Sequence, residues 1–169
     1  MHGGMHWYFA YGSNMQRATF VERRGMRPTA VRRAYVDGRR LCFDLPVGPG
    51  ERGVANLVAD AAARTWGVVY RLEAEACDVL DRTEGVDRGF YRRIAIEATT
   101  DDGARLAAFA YQGEARDPRR KPSARYLGLL LTGAREIGLP PAYVDWLAAF
   151  PLALDERASA ADRHGVRSR

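Results

Sequence analysis

Histidine is scarce in this sequence of 169 residues. The three histidines are His2, His6 and His164, so two lie at the N-terminus and one lies close to the C-terminus. None is well placed to orient or deprotonate a nucleophile, which argues against a Ser-His-Asp or Cys-His hydrolase. Acid–base chemistry in this chain would therefore fall to a carboxylate or a tyrosine.

Cysteine is also scarce, and Cys42 and Cys77 each lie within an apolar stretch. Such positions favour core packing over a disulfide and fit a reducing compartment. The spacing of the cysteines and histidines matches no common zinc site. The glycine-rich stretches lack the residues of a phosphate loop or a dinucleotide fingerprint. The sequence therefore predicts neither a metal nor a cofactor.

Long hydrophobic runs are absent as well. No stretch approaches the roughly 20 apolar residues that a membrane span requires. The N-terminal MHGGMHWYFAYG has no basic leader followed by a long apolar run, as a secretory signal would. We expect a cytoplasmic protein that does not contact a membrane.

Lysine is nearly missing, because Lys121 is the only lysine among 26 basic residues. The formal net charge is +5, but acidic residues are interleaved with the arginine pairs and no run of five or six like charges occurs. This pattern favours a solvated basic surface over a nucleic-acid groove. A non-catalytic module that binds nucleic acid or an acidic partner through surface arginines stays the alternative function.

Hydrophobic periodicity and turn residues predict a mixed α/β fold in which helices pack on a curved, largely antiparallel sheet. The domain is expected to cover 6–154, and 155–169 to form a flexible, arginine-rich tail. The predicted strands are 6–12, 30–36, 39–46, 53–59 and 66–72, followed by a hairpin within 90–112 that turns at Asp101-Asp102-Gly103. The predicted helices are 14–24, 73–85 and 123–138, with one more opening at Pro141.

The stretch YFAYGSNM, residues 8–15, changes abruptly from a strand pattern to Gly-Ser-Asn. Ser13, with Gln16 three residues later, has the form of a capping box at a helix start. The free N–H groups of such a turn attract anions and developing negative charge. A merely well-capped turn is the alternative interpretation.

Glu84 is the carboxylate in the most suggestive position, at the end of a predicted helix and just before Gly85. A helix C-terminus disfavours a carboxylate anion, and burial would add to this effect, so the pKa of Glu84 should rise toward that of a working base. A surface glutamate before a capping glycine is the alternative.

Several stretches together resemble the γ-glutamylcyclotransferase family, and they occur in the family's order. They are YFAYGSNM at 8–15, WGVVYRL at 66–72, LDRTEGV at 80–86, YRR at 91–93, and PSARYLGLLLTGAREIGLP at 122–140 with Tyr143. Asn56 stands where the family pattern would have a small or β-branched residue, and could alter the pocket wall.

The resemblance implies a β-barrel core flanked by helices. It also implies intramolecular aminolysis, in which the α-amine of a γ-glutamyl group attacks its own γ-carbonyl and releases 5-oxoproline and an amine or amino acid. Glu84 matches the family's catalytic glutamate and Tyr126 a substrate-contacting tyrosine. The matching substrate loop consists of Tyr8, Phe9, Ala10, Tyr11, Gly12 and Ser13, and the backbone of Asn14 extends its set of N–H donors. Hydrolysis, with Glu84 activating water, is a further possibility, and the leaving group and a monomeric or homodimeric state stay open.

Overall fold

A computed structural model describes residues 3–154, in which five strands close into one barrel with the order β1-β3-β2-β4-β5. The strands are β1 (Met5–Ala10), β2 (Ala30–Pro46), β3 (Gly53–Glu73), β4 (Arg92–Thr100) and β5 (Arg105–Gln112). The helices are α1 (Ala74–Thr83), α2 (Ala124–Ile137) and α3 (Pro141–Ala148). The barrel confirms the mixed α/β fold, whereas the predicted tail, 155–169, lies outside the described residues. No helix among residues 3–154 has the length and apolar character needed to cross a bilayer.

The barrel closes through β1. This strand pairs antiparallel with β3, where Tyr8 lies opposite Tyr70, and it pairs parallel with β5, where Tyr8 lies opposite Phe109. β4 and β5 form the expected antiparallel hairpin. Closure brings the end of β1 next to β5 and β3, so residues that follow β1 emerge at one rim of the barrel.

Two long strands replace four predicted short ones. The prediction of separate strands at 30–36 and 39–46 is wrong, because β2 runs through Asp37 and Gly38, the expected turn residues between them, and its register with β3 shifts between Asp37 and Arg39. Gly38 has a φ of 77° there, as expected for a bulge that bends a strand without ending it. β3 likewise runs unbroken between the predicted segments 53–59 and 66–72. Bends of this kind let two strands wrap much of the barrel wall.

The prediction of one capped helix over 14–24 is also wrong. The chain instead forms a 3-10 turn, Ser13–Met15, followed by a π-helical segment, Ala18–Arg23. The Ser13 side chain makes no capping hydrogen bond, and Gln16 Oε1 accepts from Thr19 Oγ1 at 2.6 Å instead. Contacts distant in sequence shape the turn, since the Tyr70 hydroxyl donates to the Asn14 carbonyl oxygen at 2.7 Å.

Helix α2 follows the sequence prediction closely. Ser123 Oγ accepts from the Tyr126 N–H at 3.1 Å, and Gly138 ends the helix with a φ of 72°. Leu127, Leu130 and Ala134 are buried on one face. The buried Cys42 and Cys77 are unbridged, as predicted. Helix α2 contacts the 3-10 turn that follows β1.

Gly133 allows α2 to approach this turn closely. A Cβ at this position would lie 2.6 Å from the Gln16 nitrogen and 2.7 Å from the Met15 carbonyl carbon, and neither backbone atom can move easily. The 3-10 turn therefore has its place because α2 lacks a side chain here.

We expect Gly133→Ala to destabilise the fold by about 1–3 kcal/mol, because overpacking must displace backbone atoms. Gly128→Ala, in the same helix, is the matched control, since a Cβ there meets no atom within 4 Å. Better helix propensity should leave the control as stable as the parent chain or more so. Thermal unfolding of both variants gives the comparison, and equal melting temperatures would contradict the proposed close approach.

Candidate active site

Glu84 lies at the C-terminal cap of α1, and its side chain is 13% exposed. Its N–H donates to the Leu80 carbonyl at 2.9 Å, and Gly85 then takes a left-handed conformation with a φ of 71°. The helix end therefore turns the chain away while the carboxylate stays at the barrel rim. The alternative of an exposed surface glutamate is wrong.

Asn14 connects Glu84 to the barrel. Its Nδ2 donates to Glu84 Oε1 at 2.9 Å and to the Tyr8 hydroxyl at 3.0 Å. One acceptor, Glu84, directly follows α1, and the other, Tyr8, lies in β1, far away in the sequence. One amide group therefore fixes the carboxylate relative to the barrel wall, a role of the side chain that the sequence alone did not reveal.

Arg24 also faces the carboxylate, with 3.4 Å between its Nη1 and Glu84 Oε1. Burial raises the pKa of Glu84, while Arg24 and the hydrogen bond from Asn14 partly oppose the rise. The direction agrees with the sequence prediction, and burial is the principal cause. A carboxyl with a raised pKa can accept a proton and return it near neutral pH.

The side-chain oxygen of Asn14 has no hydrogen-bond partner among residues 3–154, although it is buried. An unpaired buried acceptor costs free energy, so such groups generally have a partner or serve a ligand. Asn14 lines a cavity of about 40 Å³ beside Glu84. Its free oxygen therefore gives this cavity an acceptor for an N–H or O–H donor.

The cavity brings most of the predicted site residues together. Its lining consists of Tyr8, Tyr11, Gly12, Ser13, Asn14, Ala55, Glu84, Tyr91, Tyr111 and Tyr126. Phe9 and Ala10 do not line it, because both are buried in the barrel core. The sequence prediction missed Ala55, Tyr91 and Tyr111, although Tyr91 opens the YRR stretch and offered a signal.

Tyrosine hydroxyls make up much of the polar wall. The Ala55 N–H donates to the Tyr126 hydroxyl at 3.1 Å, and the Tyr91 hydroxyl donates to the Ala55 carbonyl at 2.6 Å. Burial raises the pKa of Tyr126 to about 12 and holds the pKa of Tyr8 well above its usual range. These tyrosine hydroxyls therefore stay neutral near pH 7. Within the described lining, the acid–base group that can ionise in this range is the Glu84 carboxylate.

Comparison with known proteins agrees with this geometry. The model of the AIG2-like family matches residues 64–147. Bovine (Bos taurus) γ-glutamylcyclotransferase is 32% identical over 143 residues, which cover 80% of this chain and 73% of that protein. The mouse (Mus musculus) γ-glutamylcyclotransferase is 33% identical over 151 residues, with 84% and 77% covered. The chain belongs to the γ-glutamylcyclotransferase family. A solved γ-glutamyl cyclotransferase structure superposes with a TM-score of 0.78 at 23% identity, covering 95% of this chain and 99% of that one, which shows the shared fold.

Asn56 lies in the barrel wall, outside the lining of the cavity. Its Nδ2 donates to Asp44 Oδ1 at 2.9 Å and to the Gly113 carbonyl at 3.1 Å, and its Oδ1 accepts from the N–H groups of Leu57 and Gly113. The fully buried amide is satisfied within the barrel wall, and it does not line the cavity. The expectation that it could alter the pocket wall is not supported, because its neighbour Ala55 lines the cavity instead.

We expect Arg24→Gln to move the acidic limb of the pH–rate profile to higher pH. Arg24 lowers the pKa of Glu84, so its loss lets burial raise that pKa further, and the carboxylate form then appears only at higher pH. Rates of 5-oxoproline release between pH 5 and pH 9 measure the shift. Arg17→Gln, which removes an exposed ion pair with Glu22, is the control and should leave the limb in place. If the acidic limb of Arg24→Gln lies at the same pH as that of the parent chain, the interaction of Arg24 with Glu84 is contradicted.

Proposed function

We propose that this member of the family catalyses the intramolecular aminolysis of a γ-glutamyl amide, with Glu84 as general acid and base. The observation that carries the proposal is one buried carboxylate of raised pKa in a small polar cavity, hydrogen-bonded to an amide whose oxygen is free. The described cavity lining includes no histidine, cysteine or lysine. A reaction that needs a base but no protein nucleophile fits this set of groups.

The substrate supplies its own nucleophile. The α-ammonium group first loses one proton to solvent, and the resulting amine nitrogen forms a bond to the γ-carbonyl carbon while Glu84 takes a second proton from that nitrogen. The tetrahedral intermediate collapses as the original amide C–N bond breaks, and Glu84 returns the proton to the leaving nitrogen. Because nucleophile and electrophile are tethered, a well-aligned pose can contribute about 7–11 kcal/mol to lowering the barrier. The products are 5-oxoproline and a free amine.

Asn14 would position both partners of the proton transfer. Its Nδ2 holds Glu84 Oε1, and its free Oδ1 lies ready to accept an N–H of the substrate amine. With one N–H held by Asn14 and a proton moving to Glu84, the nitrogen lone pair is directed to the γ-carbonyl. The amide thereby sets the direction of attack as well as the place of the base.

The 3-10 turn offers donors for the developing oxyanion. Met15 and Gln16 give their N–H groups to the carbonyls of Gly12 and Ser13, while no acceptor among residues 3–154 takes the N–H of Gly12 or Ser13. Both residues line the cavity. Free N–H groups that face a developing negative charge are the elements of an oxyanion hole. We assign them to the γ-carbonyl oxygen.

Asn14→Ala should lower kcat by about ten- to a hundredfold, as expected when a hydrogen bond to a charged group is lost. It should also move the acidic limb to higher pH, since the bond from Asn14 lowers the pKa of Glu84. Tyr8→Phe is the comparison, because it removes the other partner of Nδ2 and leaves the bond to Glu84 in place. An equal loss in both variants, with no movement of the limb, would assign Asn14 a structural role only.

Glu84→Gln tests the function directly. Purified protein is incubated with a panel of γ-glutamyl amino acids and γ-glutamyl amines, and 5-oxoproline is measured by mass spectrometry. Loss of general acid–base catalysis should lower the rate by about a hundred- to ten-thousandfold. Glu75→Gln, an exposed residue of the same helix, should keep full activity. Full activity in Glu84→Gln would refute the proposal, and free glutamate in place of 5-oxoproline would indicate hydrolysis.

Glu84→Gln should be at least as stable as the parent chain at pH 7.5. A carboxyl whose pKa is raised in the fold binds its proton more tightly when folded, so the parent chain loses stability as pH rises from the unfolded pKa to the folded one. Glutamine is neutral at every pH and avoids this loss. A melting temperature well below that of the parent chain would show that the lost activity reflects damage to the fold.

A further inference from the structure

A basic cleft of about 670 Å³ adjoins the reaction cavity, and Ser13 and Tyr126 line both. Three arginines line the basic cleft, Arg23, Arg24 and Arg125. The rest of its lining consists of serine, threonine and tyrosine residues and Leu129, without a carboxylate. A substrate with its γ-carbonyl in the cavity can extend its leaving portion past Ser13 and Tyr126 into this cleft.

Two of these guanidinium groups lack a compensating charge. Neither Arg23 nor Arg125 forms an ion pair or a side-chain hydrogen bond within residues 3–154, whereas Arg24 faces Glu84. Other arginines form ion pairs with aspartates and glutamates elsewhere on the surface. For example, Arg64 Nε lies 2.6 Å from Asp37 Oδ1. Uncompensated guanidinium groups that converge on one cleft attract anions and can bind carboxylate or phosphate in a bidentate manner.

The two free arginines that line the basic cleft belong to different elements of the fold. Arg23 ends the π-helical segment, and Arg125 lies in the first turn of α2. The helix N-terminus adds a favourable potential for an anion near Arg125. Arg23 and Arg125 each carry an unpaired positive charge in the same cleft. A single ligand with two negative charges would neutralise both.

The second cleft beside the cavity has a different character. It measures about 610 Å³, borders Glu84 directly, and combines Arg24 and Arg88 with an apolar wall that includes Val47, Val54 and Phe90. Val47 and Phe90 are exposed hydrophobic residues. This second cleft, called the apolar cleft below, has fewer arginines than the basic cleft and contains the Glu84 carboxylate, so it would suit a less charged leaving group.

We propose that the leaving portion of the substrate is a doubly negative amine, an acidic amino acid or a phosphorylated amine, held in the basic cleft by Arg23 and Arg125. This inference rests on the proposed function, since it names the group that aminolysis releases. The balance of charge carries it: two unpaired cations in a cleft without carboxylates, next to the cavity where the amide bond breaks.

Matched substrates test the charge. γ-Glutamyl-aspartate and γ-glutamyl-asparagine have nearly the same shape, but the leaving portion of the first carries one more negative charge. γ-Glutamyl-phosphoethanolamine and γ-glutamyl-ethanolamine form a second pair and separate phosphate from carboxylate as the source of charge. We expect kcat/KM to be about ten- to a hundredfold higher for the more highly charged member of at least one pair, the range of one or two charge-assisted contacts. Added salt should reduce this advantage.

Variants locate the effect. Arg23→Gln and Arg125→Gln should each remove about tenfold of the advantage of the more highly charged substrate, and should leave the rate with γ-glutamyl-ethanolamine, whose leaving portion is uncharged, nearly unchanged. Arg71→Gln is the control, because Arg71 is exposed on β3 and lines neither cleft. Melting temperatures of all three variants should match that of the parent chain, since none of these side chains makes an ion pair among residues 3–154.

Three results would overturn the inference: equal kcat/KM within both substrate pairs, faster release of the less charged members, or arginine variants that slow γ-glutamyl-phosphoethanolamine and γ-glutamyl-ethanolamine alike. Faster release of the less charged members would assign the leaving portion to the apolar cleft while the proposed function stands. Calorimetric binding of γ-glutamyl-aspartate and γ-glutamyl-asparagine to Glu84→Gln separates the two proposals. If no substrate is turned over, the proposed reaction fails. The basic cleft is still supported in that case if γ-glutamyl-aspartate binds more tightly than γ-glutamyl-asparagine and if this difference requires Arg23 and Arg125.

Discussion

The site depends on one hydrogen bond, from Asn14 Nδ2 to Glu84 Oε1, at 2.9 Å. The two residues are seventy positions apart, and each belongs to a short irregular segment at the barrel rim. The bond holds only if both segments keep their places. Tyr70 fixes the backbone of Asn14 from within the barrel, and Gly133 lets α2 press on the neighbouring residues. The barrel and its last long helix therefore serve to keep one amide against one carboxylate.

Burial of Glu84 has opposite effects on chemistry and on stability. Desolvation makes the anion less favourable, which raises the pKa and suits a group that must both take and return a proton. The same desolvation opposes folding when the group is ionised. Arg24 and Asn14 moderate the rise without cancelling it. The surrounding tyrosines stay neutral, so they can hydrogen-bond to a polar substrate without adding a second charge to the cavity.

Arginine has two different roles on this surface. Many guanidinium groups lie beside aspartates and glutamates, as the interleaved charges of the sequence indicate, and these pairs give a solvated basic surface. The arginines beside the reaction cavity differ, because Arg24 faces the buried Glu84 whereas Arg23 and Arg125 face an open cleft. The proposed difference in role follows from where each arginine lies. Arginines beside the cavity are proposed to bind the ligand, whereas those in surface ion pairs keep the protein hydrated.

The sequence by itself determined the elements with local signals: α2 from its apolar stripe and caps, the β4–β5 hairpin from its turn, and Glu84 at a helix end before a left-handed glycine. Tertiary structure decided the rest. Gly38 signals a turn locally, but pairing with β3 both before and after this glycine favours a bulge. Ser13 and Gln16 have the form of a capping box, but Tyr70 and α2 impose a tighter turn. The side-chain role of Asn14, the place of Tyr91 and Tyr111, and the convergence of Arg23 with Arg125 depend on contacts between distant segments, which no local pattern records.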